Sequence, residues 1–175
     1  MIDSLIEERK KKLKNIKDRG IDPYPAEAKR THTIAEALKF FSRISAAKDN
    51  VYLVGRVRGW RDQGGVVFGD LKDESGTMQL VLKKESLKTF DFWKNNLDLG
   101  DFIEVAGPLF KTKKGQQSLE VISLKLLVKS LRPVPSEFYG LADIETKLRK
   151  RYLDLLSSEE TREMFVKKSK FWQSF

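Results

Sequence analysis

A mainly β fold with helical additions is predicted by two features of this 175-residue sequence. Between Val51 and Leu82, and again between Phe102 and Ser130, apolar residues recur at nearly every second position, the period of a half-buried strand. The patterns also come in a telling order: three strands, a helix, then two strands.

The chain opens with a helical pattern over Ile2–Arg19, where Leu5, Ile6, Leu13 and Ile16 form an interrupted stripe among charges. Asp3 or Ser4 can cap its start and Gly20 ends it. Pro23 and Pro25 then force extended backbone. A second helix is expected over Thr33–Ser45, with Ile34, Ala37, Leu38 and Phe41 on one side.

Strand one runs from Val51 to Trp60, its Val51, Leu53 and Val57 alternating with Tyr52, Arg56 and Arg58. Glycines at 55 and 59 suit a sharp bend. In strand two, Val67 and Leu71 alternate with Phe68 and Asp70. In strand three, Met78, Leu80 and Leu82 alternate with Thr77, Gln79 and Val81. A turn at Asp73-Glu74-Ser75-Gly76 pairs Lys72 with Thr77 and sets Phe68 opposite Val81. Gln79 then lies diagonally from Phe68 on the outer face, at roughly 7–8 Å backbone separation.

Lys84–Asn96 reads as a helix, with Leu87, Phe90 and Trp93 three residues apart. Strand four spans Phe102–Leu109, and the basic turn KTKKGQQ leads into strand five, Ser118–Ser130. There Ile122, Leu124, Leu126 and Val128 alternate with Val121, Ser123, Lys125 and Leu127. This order is that of the OB-fold, a five-stranded Greek-key barrel whose strands two and three bind oligonucleotides.

After the barrel, LRPVPSEFYG reads as a linker. Two further helices are expected over Asp143–Ser157 and Ser158–Phe175. The second carries Met164, Phe165, Phe171, Trp172 and Phe175 at helical spacing with nothing to cover them, which suggests a continuation. The expected organisation is a helical arm at 1–48, the barrel at 49–131, and a linker with the start of a further domain at 132–175.

Net charge is +9, which favours a polyanionic partner. Cysteine is absent, excluding disulfides and thiolate chemistry. The single histidine, His32, sits at a helix start and is expected to act locally. No phosphate loop, metal-ligand cluster or nucleophile triad is legible, so no catalytic residue and no metal or other cofactor is assigned. Without an apolar leader or a membrane-length run, a soluble cytoplasmic protein with no membrane partner is expected.

Phe68 beside Gln79, with Arg56, Arg58 and Arg61 upstream, suits stacking and edge-reading of an unpaired base. The alternative is that Phe68 covers a barrel rim. Lys111, Lys113 and Lys114 either meet phosphates from the same side or form a solvated hairpin tip. Taken alone, these residues describe a basic OB-fold that binds single-stranded nucleic acid.

The segments LGDFIEVAGPLFKTKKG, LLVKSLRPVPSEFYGLADIETKLRKRYLDLL and EETREMFVKKS resemble the N-terminal region of the bacterial-type, class II lysyl-tRNA synthetases. The resemblance covers essentially the whole chain. It implies an anticodon-binding barrel in which Phe68 stacks on the central anticodon uridine, Gln79 reads that base's edge and Arg61 also contacts the anticodon. The position after the strand 4–5 glycine, a glutamate in the family, is Gln116 here, which keeps an acceptor oxygen but drops the charge. The resemblance implies the anticodon loop of tRNA(Lys) as partner. It implies that residues 132–175 are the linker and the start of a truncated class II catalytic domain, and for the full-length family it implies ATP, magnesium and a homodimer. The class II motifs are not in this sequence, and the chain alone is expected to be inactive as a ligase. A non-specific single-strand-binding module is the alternative function.

Overall fold

The computed structural model describes residues 2–133 and 143–175, which fall into two units divided after Pro133. Residues 134–142, most of the expected linker, lie outside the described residues.

In the first unit, α1 (Ile2–Asp18) buries Ile16 and ends at Gly20, whose φ is +74°. The Ile21 N–H reaches the Ile16 carbonyl and the Gly20 N–H reaches that of Lys17. This is a Schellman stop, and glycine is the residue that enters left-handed backbone without strain. The helix begins one residue before Asp3, so Asp3 sits inside the first turn instead of capping it.

The expected helix over Thr33–Ser45 is two, α2 (Ile34–Lys39) and α3 (Phe41–Ala47), parted where Phe40 leaves helical geometry. Thr33 and Glu36 form a reciprocal capping box at the start of α2. Ile34 and Ala37 of α2 and Phe41 and Ile44 of α3 all reach the core.

The strands are β1 (Val51–Asp62), β2 (Val66–Lys72), β3 (Thr77–Lys83), β4 (Phe102–Gly107), β5 (Leu109–Lys111), β6 (Gln117–Val121) and β7 (Ser123–Val128). Helix α4 (Phe90–Asn96) lies between β3 and β4 and begins six residues later than expected. The sheet order is β5-β6-β3-β2-β1-β4-β7, with β3 and β6 parallel and all other pairs antiparallel.

Seven strands replace the expected five because the last hairpin bends. Pro108 has no N–H for the ladder and divides strand four into β4 and β5. Opposite it, strand five divides at Ile122. Gly107 makes the bend possible, since a Cβ there would lie 1.7 Å from the Glu120 carbonyl oxygen. One half of the hairpin then pairs with β1 through β4, and the other with β3 through β6. The sheet thus ends on β5 and β7, which belong to one folded-over hairpin, and the barrel is not a closed ring of strands.

The expected alternation in strand five is corrected by the same bend. Ile122 and Val128 are exposed, whereas Leu124, Leu126 and Leu127 are buried. A second irregularity, between the Phe102 and Ile103 pairings, places Leu126 and Leu127 both inside. The core joins Leu53, Leu71, Met78, Leu80, Leu82, Ile103 and Leu119 with Phe90 and Trp93 of α4.

A buried ion cluster ties the ends of this unit together. The Lys129 ammonium gives its three hydrogens to Asp98, Asp101 and the Asn96 carbonyl. Lys12 of α1 also binds Asp98. Arg9 donates to the carbonyls of Leu99, Ser130 and Arg132.

The second unit, taken alone, contains α5 (Ile144–Arg149), α6 (Arg151–Ser157) and α7 (Glu159–Gln173). The expected first helix is split at Lys150, which is not helical. Asp143 caps α5 and Ser158 caps α7. Phe171, Trp172 and Phe175 form an exposed edge-to-face cluster. Among the described residues, no helix is long and apolar enough to cross a membrane.

Candidate nucleic-acid interface

The outer face of β1, β2, β3, β5 and β6 begins with an irregularity in β1. The pairing of β1 with β2 skips Arg58, so the side-chain phase shifts. Trp60 comes opposite Gly69 on the core side, and Arg61 comes opposite Phe68 on the outer side. Gly59 faces Asp70, and its missing side chain makes room for that carboxylate. A Cβ there would lie 2.0 Å from Asp70 Oδ2. Arg61 takes the Asp70 carboxylate with both terminal nitrogens, at 2.6 and 3.1 Å. That bond raises the guanidinium pKa further above its ordinary value.

The β2–β3 hairpin has the expected register: Lys72 pairs with Thr77, Phe68 with Val81 and Asp70 with Gln79. The turn is built by Asp73, whose carboxylate accepts from the N–H groups of Ser75 and Gly76 and from the Ser75 hydroxyl. Its other oxygen accepts from the Ile34 N–H, so the turn also caps α2. Phe68 and Gln79 are diagonal neighbours, each half-buried.

Beyond β3, Gln79 stands beside Ser118, and Ser118 opposite Phe110. One row of residues therefore crosses four strands: Asp70, Gln79, Ser118, Phe110. The Ser118 hydroxyl, fully buried, donates to Gln79 Oε1 at 2.8 Å and lies 3.3 Å from the Gln116 carbonyl oxygen.

The turn between β5 and β6 sets the rim. Gly115, at φ +82°, donates to the Thr112 carbonyl, while the Gln116 N–H donates to the Thr112 hydroxyl. These elements enclose a cleft of about 680 Å³ that Arg61, Phe68, Gln79 and Gln116 all line. The four residues singled out from the sequence thus share one concavity.

Sequence reasoning missed two of its walls. Phe110 adds a second aromatic ring, and Val81 is buried there although it points away from the main core. Alternation with buried Leu109 was the available signal for Phe110. Lys113 and Lys114 line the cleft, but Lys111 does not. Nor do Arg56, which precedes the phase shift, and Arg58, at which it falls. The Arg56 guanidinium stacks on Phe102 at 4.3 Å, and burial, then the neighbouring Arg58 charge, lowers its pKa.

The lining carries four cations, Arg61, Lys83, Lys113 and Lys114, and no carboxylate. Lys83 pairs with Glu120 at 2.8 Å. Burial pushes the Glu120 carboxyl up, but hydrogen bonds from Lys83 and Ser86 outweigh it and hold it below its ordinary value. Lys113 and Lys114 have no ionic partner among the described residues. Two rings, an amide and surplus positive charge can stack a base, meet its edge and neutralise phosphates. Among the described residues, no group of three or more His, Asp or Glu side chains comes together to hold a metal ion. His32 bonds locally to the Thr31 hydroxyl.

Residues 51–134 match the family of OB-fold nucleic acid binding domains. Across 94% of its length the chain is 40% identical to a lysine–tRNA ligase of Roseiflexus castenholzii and 39% identical to one of Methanospirillum hungatei. It is 37% identical to one of Bacillus cytotoxicus across 93% of its length. It covers 34%, 33% and 34% of these relatives, so it spans about a third of their length. The chain is similar over nearly all of its length to about a third of these lysine–tRNA ligases, and its strands fall within the stretch that matches OB-fold nucleic acid binding domains.

Proposed function

We propose that the cleft binds the anticodon loop of tRNA(Lys), as the tRNA-selecting part of a cytoplasmic lysine–tRNA ligase. The observation that carries this reading is the placement of the Phe68 ring and the Gln79 amide as diagonal neighbours in one cation-lined cleft. In this reading Phe68 stacks on the central uridine, Gln79 reads its edge, and Arg61 and Gln116 contact the loop from either side. Stacking contributes roughly 1–3 kcal/mol per base. Uracil suits the site because its O4 offers an acceptor to the N–H of an amide.

Attachment of lysine, with ATP and magnesium, and the homodimer belong to the proposed full-length ligase; no described residue of this chain is assigned to those steps. The test is the affinity of the chain for anticodon stem-loops differing only at the middle base. Tighter binding of U than of C at that position supports the reading, and equal affinity overturns it.

The four cations of the lining also favour a second reading, a single-strand binder indifferent to sequence. It predicts similar affinity for poly-U and poly-C and a steep salt dependence.

A further inference from the structure

We infer that Ser118 is a positioning residue that fixes which end of the Gln79 amide faces the cleft, and thereby the base chosen there. The inference rests on the cleft reading a base edge, and it adds a residue that touches no ligand.

Ser118 is fully buried and has one hydroxyl hydrogen to give. Two acceptors lie near it, Gln79 Oε1 at 2.8 Å and the Gln116 carbonyl at 3.3 Å. The first distance is that of a well-made O–H···O bond, and the second is beyond the usual range. With the amide turned over, its N–H would donate to the hydroxyl, whose hydrogen would then have only the Gln116 carbonyl at 3.3 Å. The better-bonded arrangement gives the hydrogen to Gln79 Oε1 and holds the amide carbonyl against β6. The amide nitrogen makes no hydrogen bond among the described residues and is left to the cleft that Gln79 lines.

The outward end of the amide is thus a donor, which meets a carbonyl on a base. Uracil presents O4 where cytosine presents an amino group, so a donor facing outward favours uracil and opposes cytosine. Without Ser118 the amide can turn over and offer its oxygen to cytosine equally well. Ser118 also has the backbone of Gln116 as its second neighbour, so it joins the two sides of the cleft at their base.

The experiment measures the affinity of the 175-residue chain for stem-loops with U, C or an abasic site at the middle position. Thermal unfolding verifies that each variant is folded. Ser118→Ala is expected to lower the U-over-C ratio by about three- to tenfold, the worth of one hydrogen bond. Its affinity for the abasic loop stays unchanged. Gln79→Glu keeps an acceptor for Ser118 but turns an oxygen outward, so its ratio shifts toward C, whatever its overall affinity. Ser118→Cys, close in size and a poor hydrogen donor, is expected to lower the ratio likewise and decides the matter if Ser118→Ala does not fold. An unaltered ratio in folded Ser118→Ala or Ser118→Cys overturns the role of Ser118, and an unaltered ratio in Gln79→Glu overturns the edge-reading by Gln79 on which it rests. A wild-type chain with no U-over-C preference instead overturns the base-reading function beneath it.

Discussion

The Arg61 guanidinium grips the Asp70 carboxylate through two hydrogen bonds, in space that Gly59 leaves open. The pair is largely exposed, so its worth to stability is at most about 1 kcal/mol. Its consequence is to hold a cation at the cleft edge before any ligand arrives. Asp70→Ala is therefore expected to leave the melting temperature within a few degrees. Binding of a U-centred stem-loop should weaken by about two- to tenfold, because Arg61 must then be ordered on binding. Titration calorimetry beside thermal unfolding checks both.

Gly107→Ala tests the bend that turns five strands into seven. The added Cβ would meet the Glu120 carbonyl oxygen, a backbone atom that cannot swing aside. Loss of about 3 kcal/mol or more is expected by urea unfolding. Gly65→Ala, at a position with open space around its Cβ, should cost far less.

Register was the most legible part of the fold, and the reason is local chemistry. Asp73, Ser75 and Gly76 specify one turn, and that turn sets Phe68 opposite Val81 and Gln79 diagonal to Phe68. The phase shift at Arg58 was not legible, because alternation continues on either side of it. Arg56 and Arg58 were therefore grouped with Arg61, although only Arg61 reaches the cleft. Ser118 was invisible for another reason: its importance lies in a hydroxyl that meets Gln79 across a parallel pairing 39 residues away.

Asp73 gives a pH prediction. Burial pushes its carboxyl up, but hydrogen bonds from Ser75, Ile34 and Gly76 outweigh it and hold it below the ordinary 3.8. The folded value is thus lower than the unfolded one. The stabilisation is present above the unfolded value and is lost as pH falls through the folded value. The stability gap between wild type and Asp73→Asn is expected to be about 1–2 kcal/mol at neutral pH, partial exposure keeping it modest. It should shrink on acidification below about pH 4, followed by urea unfolding.

Lys129→Met would leave Asp98 and Asp101 facing an alkyl chain. Removing one partner of a buried ion pair costs about 3–5 kcal/mol. Burial already raises the Asp101 pKa, Lys129 pulling it back only in part. Deprived of Lys129, Asp101 takes a proton more readily, so the variant's deficit should be largest at neutral pH and smaller near pH 4. Chemical denaturation of both proteins at the two pH values measures it.

The central claim is that the Phe68 ring carries recognition of an anticodon base. Its most direct test is the dissociation constant of a UUU-anticodon stem-loop for wild type and Phe68→Ala at one fixed salt concentration. Loss of tenfold or more, with the variant's melting temperature nearly unchanged, is the predicted result. Equal affinity of the two folded proteins would contradict it.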